Sequence, residues 1–178
     1  MNTGQTMLTM GAMILISIII LNFYRMTNSI SSSLDFSRFR LESMSIMTSH
    51  VEQLSQYFFD EASTDTLNSK ELNDFVTPGN LGFDGNDNGI VDDIDDFHGL
   101  TVSDTGMSGV PYNVNYSVSY VELQNNLIVV SNSREYHKQI SISISDAFNP
   151  PLIYSMVNGV RVRDTLRISY VVSYWFYN

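Results

Sequence analysis

No cysteine occurs in these 178 residues, so disulfides, thiolate zinc sites and cysteine nucleophiles are excluded together. Basic residues are scarce: nine Lys and Arg stand against 19 Asp and Glu, a net charge of −10, with no Lys or Arg run. A nucleic-acid binder needs a basic face for phosphates, so that class is set aside. The three histidines, His50, His98 and His137, are scattered, with neither paired nor HExxH spacing, which argues against a histidine-based metal or catalytic centre. Charged residues make up only 16% of the chain and apolar ones 43%, so a packed core is within reach and wholesale disorder is not expected.

Charge is most completely absent at the start, where no Asp, Glu, Lys, Arg or His precedes Arg25. Residues 7–24 read MLTMGAMILISIIILNFY, close to the about 20 apolar residues a helix needs to cross a bilayer. A cleaved secretory signal fits poorly: its apolar core is shorter, Lys or Arg precedes it, and a small-residue cleavage site follows. A helix inserting with its N-terminus in the cytoplasm carries Lys or Arg before the span. Their absence leaves two expectations: the protein inserts in an unusual way, or Met1 begins a mature chain from which a basic leader has been removed.

The apolar pattern then narrows to a stripe. Ile30, Leu34, Leu41, Met44, Met47, Val51, Leu54 and Phe58 recur at spacings of three, four or seven, one face of an amphipathic helix. One helix from about residue 5 to about residue 60 is expected, roughly 80 Å long. Its weak points are Gly11, Asn22 and the NSISSS run at 28–33, where Ser and Asn compete for backbone hydrogen bonds.

From Pro111 the period becomes two. Tyr112, Val114, Tyr116, Val118 and Tyr120 alternate with Asn and Ser, as do Ile140, Ile142 and Ile144. Residues 127–130 and 164–178 complete an antiparallel sheet of three or four strands, with turns at Pro150-Pro151 and Asn158-Gly159. The aromatic residues of these strands, Trp175 included, read as core packing rather than a stacking platform. The fold class is α+β: a long N-terminal helix, apolar in its first half and amphipathic in its second, packed on a C-terminal antiparallel sheet. The expected divisions are an assembly or transmembrane half-helix at 1–25, an amphipathic half-helix at 26–60, a loop region at 61–110 and a β domain at 111–178.

Within the loop region, DGNDNGIVDD (residues 84–93) packs four aspartates and two asparagines around two glycines. Against the calcium-loop pattern D-x-[DN]-x-[DN]-G, Asp84, Asn86 and Asn88 fall at positions one, three and five and Gly89 at the sharp turn. Ile90 would offer its backbone carbonyl at seven, Asp92 falls at nine and Asp95 at twelve, with Asp93 and Asp96 as neighbours. A Ca2+ loop over 84–95 is therefore expected. It resembles locally the loops of EF-hands and dockerins. With Asp rather than Glu at position twelve, its affinity should be weak and of extracellular type. No base, nucleophile or pocket signal accompanies these carboxylates, so an enzyme is not expected.

An uncharged apolar N-terminus leading into a long amphipathic helix, then a loop region and an antiparallel sheet, resembles the type IV pilin superfamily, which includes the pseudopilins of type II secretion. Met1 and Tyr24 match residues common there, and Gln5 stands where the family keeps a glutamate. The resemblance implies an extracellular, cell-surface filament whose subunits wait in the inner membrane before assembly. It implies a homo-oligomer joined through Met1, Gln5, Leu8, Met13, Ile16, Ile20, Phe23 and Tyr24. Gln5 would make a neutral hydrogen bond in place of an ion pair with a neighbour's terminal amine. The alternatives are a pseudopilin and a membrane-anchored surface or periplasmic binding domain that does not assemble.

Overall fold

The computed structural model describes residues 3–64, 68–83 and 91–175. Its first element is one helix, α1 (Thr3–Leu54), followed by short single-turn helices and seven strands: β1 (Thr101–Thr105), β2 (Pro111–Gln124), β3 (Leu127–Val130), β4 (His137–Asp146), β5 (Tyr154–Val157), β6 (Val160–Arg163) and β7 (Leu166–Ser173). This is an α+β architecture. The chain divides into two compact units, Met1–Arg40 and Leu41–Asn178, so the division falls within α1.

α1 shows no break at Asn22 or in the NSISSS run. The hydroxyls that compete for backbone elsewhere are consumed locally. Thr9, Ser17, Thr27 and Ser37 each donate to the carbonyl four residues back at 2.8–3.1 Å, and Ser32 donates to Ser29 O at 2.9 Å. The competing group thus leaves the i→i−4 ladder intact.

The helix ends earlier than the expected residue 60. After Leu54 the bonds tighten to three-residue turns (Gln56 N to Gln53 O, Tyr57 N to Leu54 O), and the backbone turns away. Phe58 forms an isolated parallel bridge with Asp93, so the chain after the helix belongs to the loop layer.

The buried face of the second unit's helical segment is Ser43, Ile46, Met47 and Leu54. The expected stripe is therefore corrected: Met47 and Leu54 belong to it, whereas Leu41, Met44 and Phe58 are exposed. Glu42 and His50 flank the buried row, and their bonds to β2 fix the rotation of the helix over the sheet.

The main sheet is antiparallel, in the order β1-β2-β4-β7, with β3 folded back on the far end of β2. Two expectations need correction. The sheet has five strands, not three or four, because β1 lies in the stretch 101–105 read as loop. β5 and β6 form a separate two-stranded hairpin. Both tight hairpins turn on residues with positive φ, Asn125-Asn126 (51°, 64°) and Asn158-Gly159 (50°, 80°), the backbone that two-residue hairpin loops require.

The period-two pattern of β2 and β4 holds residue by residue. Tyr112, Val114, Tyr116, Val118 and Tyr120 stand opposite Asp146, Ile144, Ile142, Ile140 and Lys138 respectively, all buried. Asn113, Asn115, Ser117 and Ser119 lie opposite Ser145, Ser143, Ser141 and Gln139 on the other face. Each buried isoleucine contributes about 1.5–3 kcal/mol relative to exposure. At the Lys138 end a second cluster of Phe59, Phe75 and Tyr120 is closed by Leu72, Leu81, Val172 and Tyr174.

Candidate functional site

Tyr112, Tyr116 and Tyr120, four residues apart on one face of β2, carry hydroxyls into three polar sites. Tyr112 donates to Glu42 Oε2 at 3.0 Å, and Tyr116 bonds His50 Nδ1 at 2.6 Å. Tyr120 donates to Val76 O at 2.9 Å, with Asp60 Oδ2 at 3.3 Å. The spacing is mechanical: eight helical residues from Glu42 to His50 rise about 12 Å, and four strand residues span about 13 Å. Glu42 also accepts from Ser108 N and Ser108 Oγ, both at 2.6 Å. Gly106 sits where a Cβ would collide with the Glu42 side chain, so that loop closes on the carboxylate only without one.

His50 continues through Nε2 to Asp104 Oδ2 at 3.2 Å, completing a Tyr116–His50–Asp104 chain. It resembles a relay, but burial pushes the Tyr116 hydroxyl up to about 12, assisted by the Asp104 charge. The phenol stays neutral, the opposite of an activated nucleophile. The chain reads as structural.

The densest charge lies at the Tyr120 end. Lys138 takes an inward position of β4 and is fully buried. Its ammonium donates to Phe59 O at 2.7 Å, Asp60 Oδ2 at 2.9 Å and Asp95 Oδ1 at 2.7 Å, and lies 4.5 Å from the centre of the Phe59 ring. Asp93 completes the group: its Oδ1 accepts from Asp95 N and Asp96 N, folding residues 93–96 into a tight turn. Ligand oxygens of Asp60, Asp93 and Asp95 all lie within 4.8 Å of one another.

Three buried carboxylates around one ammonium leave an excess of negative charge. Burial, then the neighbouring Asp95 charge, raises Asp93 to about 8, and burial raises Asp95 against the pull of Lys138. Near neutral pH the cluster therefore holds a proton or takes a cation. A cavity of about 310 Å³ opens on it, lined by Asp60, Glu61, Asp74, Asp93, Asp95 and Asp96 among others.

Of the expected calcium ligands, Asp84, Asn86, Asn88 and Ile90 lie outside the described residues. Asp92 is exposed, and Asp95 is buried with Oδ1 on Lys138. Asp60, 24 residues before the loop, carries no local signal in the sequence. Its place is fixed by Lys138 and by Val76 N, which donates to it at 3.1 Å.

Of the expected assembly residues, Met1 lies outside the described residues. Leu8, Met13, Ile16, Ile20, Phe23 and Tyr24 are between 51% and 75% exposed, so within its unit the helix presents apolar side chains all round. Gln5 is exposed, and its carbonyl accepts from Thr9 Oγ. α1 is long and apolar enough to cross a membrane.

No protein-family model matches the chain, no curated protein matches it, and no solved structure matches it.

Proposed function

We propose that this chain is a structural subunit of an extracellular filament of the type IV pilin kind, inserted in a membrane before assembly and held in the filament by α1. The observation that carries the reading is the joining of two characters in one helix. Thr3–Arg40 buries none of its residues within its own unit, and Leu41–Leu54 continues the same helix onto an antiparallel sheet. A helix that is apolar all round is stable in lipid or bundled with copies of itself. Identical copies related by a rotation that does not close give a helical filament. A pseudopilin of a secretion system is the neighbouring reading, and a membrane-anchored domain that never assembles is the one from another class.

Electron microscopy of material sheared from the cell surface, with an antibody to this chain, tests the reading. Labelled filaments are expected; their absence under conditions of full expression sinks it.

We also propose that the 84–95 loop binds Ca2+. Two features support this: the D-x-N-x-N-G spacing from Asp84 to Gly89, and the surplus of carboxylate at Asp93 and Asp95, which a divalent cation would relieve. Its role is a structural clip in a chain without disulfides, and no catalytic step is assigned to it.

A further inference from the structure

The chain has two lysines in opposite settings: Lys70 is partly exposed, whereas Lys138 has no exposed surface. The Lys138 ammonium has three hydrogens and three acceptors, Phe59 O, Asp60 Oδ2 and Asp95 Oδ1, so its direction is fixed. The rings of Phe59 and Tyr120 stand 4.5 Å and 5.2 Å from the nitrogen and help to keep water from it.

Asp60 is held as firmly. Its N–H donates to Ser63 Oγ at 3.0 Å, and Ser63 N donates back to Asp60 O at 2.7 Å. The side chain is 2% exposed, yet backbone amides reach both of its oxygens: Ala62 N donates to Oδ1 at 3.3 Å and Val76 N to Oδ2 at 3.1 Å. Donors on both oxygens draw electrons from Cγ and stand ready for the negative charge that an addition there would develop. Lys138 Nζ is 2.9 Å from Oδ2, so Cγ lies one bond further, close to the roughly 3–3.5 Å of a near-attack contact.

As ions this pair is unfavourable to bury, because both charges lose their water and their attraction offsets that loss only in part. An amide carries no charge to desolvate. The water released on forming one has an exit, the cavity of about 310 Å³ lined by Asp60 and Asp95.

We propose that Lys138 and Asp60 condense to an intramolecular isopeptide bond. One ammonium proton passes along the 2.9 Å hydrogen bond to Asp60 Oδ2, leaving a neutral amine beside a carboxylic acid. The Nζ lone pair then adds to Cγ. A second proton travels from nitrogen to the leaving hydroxyl by way of Asp95 Oδ1, 2.7 Å from that nitrogen, and Asp95 ends as it began. The C–OH bond breaks, one water departs, and the amide nitrogen keeps a single hydrogen. The two charges cancel, nothing is oxidised or reduced, and no co-reactant is consumed.

The bond joins the segment that leaves α1 to β4 across 78 residues of sequence, the part a disulfide would play in a chain with cysteine. It forms within one subunit and does not rest on the filament reading or on calcium.

Trypsin reads the bond and separates the two acids that touch Lys138. Asp60 lies in fragment 41–70, Asp95 in 71–134, and Lys138 in 135–161 once cleavage at the blocked lysine is lost. The full-length chain, purified in detergent, denatured and digested, should yield 41–70 joined to 135–161 as one branched peptide. Its mass should be about 18 Da below that of the two together, the loss of one water. Lys138→Arg and Asp60→Ala should each abolish the branch. A branch between 135–161 and 71–134 overturns the pairing with Asp60. Free 41–70 with ordinary cleavage after Lys138 overturns the bond altogether. Both of these results come from the wild type, so they stand even where a variant fails to fold, and neither bears on whether the chain forms filaments.

Discussion

Lys138 Nζ lies 2.7 Å from Asp95 Oδ1, with both side chains buried. That contact ties the last position of the expected calcium loop to the inner face of the sheet, and through Asp60 to the chain that leaves α1. One ammonium thus joins three segments that are distant in sequence.

Removing that ammonium should be severe. In Lys138→Met the apolar stem is kept, but Asp60 and Asp95 lose their shared cation in the interior. A loss of about 3–5 kcal/mol is expected, because an uncompensated buried charge is left behind. Urea unfolding of the full chain followed by circular dichroism measures it; a change under 1 kcal/mol would mean water reaches the cluster freely.

The Asp93 carboxyl gives a pH signature. Its folded value of about 8 lies above the ordinary 3.8, so its contribution to stability is complete below about 4 and is lost as pH rises through about 8. In chelator, the melting temperature of the wild type relative to Asp93→Asn should therefore fall between pH 5 and pH 8. A difference that stays flat over that range would show that Asp93 is ionised throughout.

Calcium should reverse that loss. With millimolar Ca2+ the melting temperature at pH 7.5 is expected to rise, by mass action on the folded state. Asp84→Ala with Asp92→Ala should abolish the rise. A wild-type protein that melts identically in Ca2+ and in chelator has no such clip.

The tyrosine row predicts alkaline sensitivity. Tyr116 and Tyr170 are raised to about 12 from the ordinary 10, chiefly by burial. A raised folded value means stability is complete below pH 10 and is lost as pH climbs through 12. Tyr116→Phe should lose stability at neutral pH with its bond to His50, yet show a shallower fall from pH 10 to 12. Parallel curves for the two proteins would contradict the assignment.

Gly106→Ala tests the Glu42 anchor. The added Cβ displaces a carboxylate held by Ser108 and Tyr112, so a loss of about 1–3 kcal/mol is expected. Urea unfolding reads it, and a neutral result would mean that Glu42 finds equivalent partners elsewhere.

The fold class was legible in the sequence because two periods are written plainly in it. The uncharged run before Arg25 and the Tyr/Val alternation from Tyr112 each stand in the chain without reference to anything distant. β1 was not legible: TVSDT has one apolar residue, Val102, too few for a period of two to show, and Thr101–Thr105 is a strand by its pairing with β2. Nor was the charged cluster. Lys138 occupies an inward position of a strand otherwise read through its isoleucines, and its partner Asp60 stands 78 residues earlier. The periodicity marks the position as buried but carries no sign of what neutralises a lysine there.

The hydroxyls of Thr9, Ser17 and Thr27 are spent on carbonyls of their own helix. Under the proposed function this segment therefore presents neither lipid nor a neighbouring helix with an unmet donor from these side chains. Leaving the bilayer for a bundle would exchange one set of dispersion contacts for another and break none of these bonds. The lipid-inserted and bundled states would then differ little in free energy, and a filament built this way would be one that can be taken apart again.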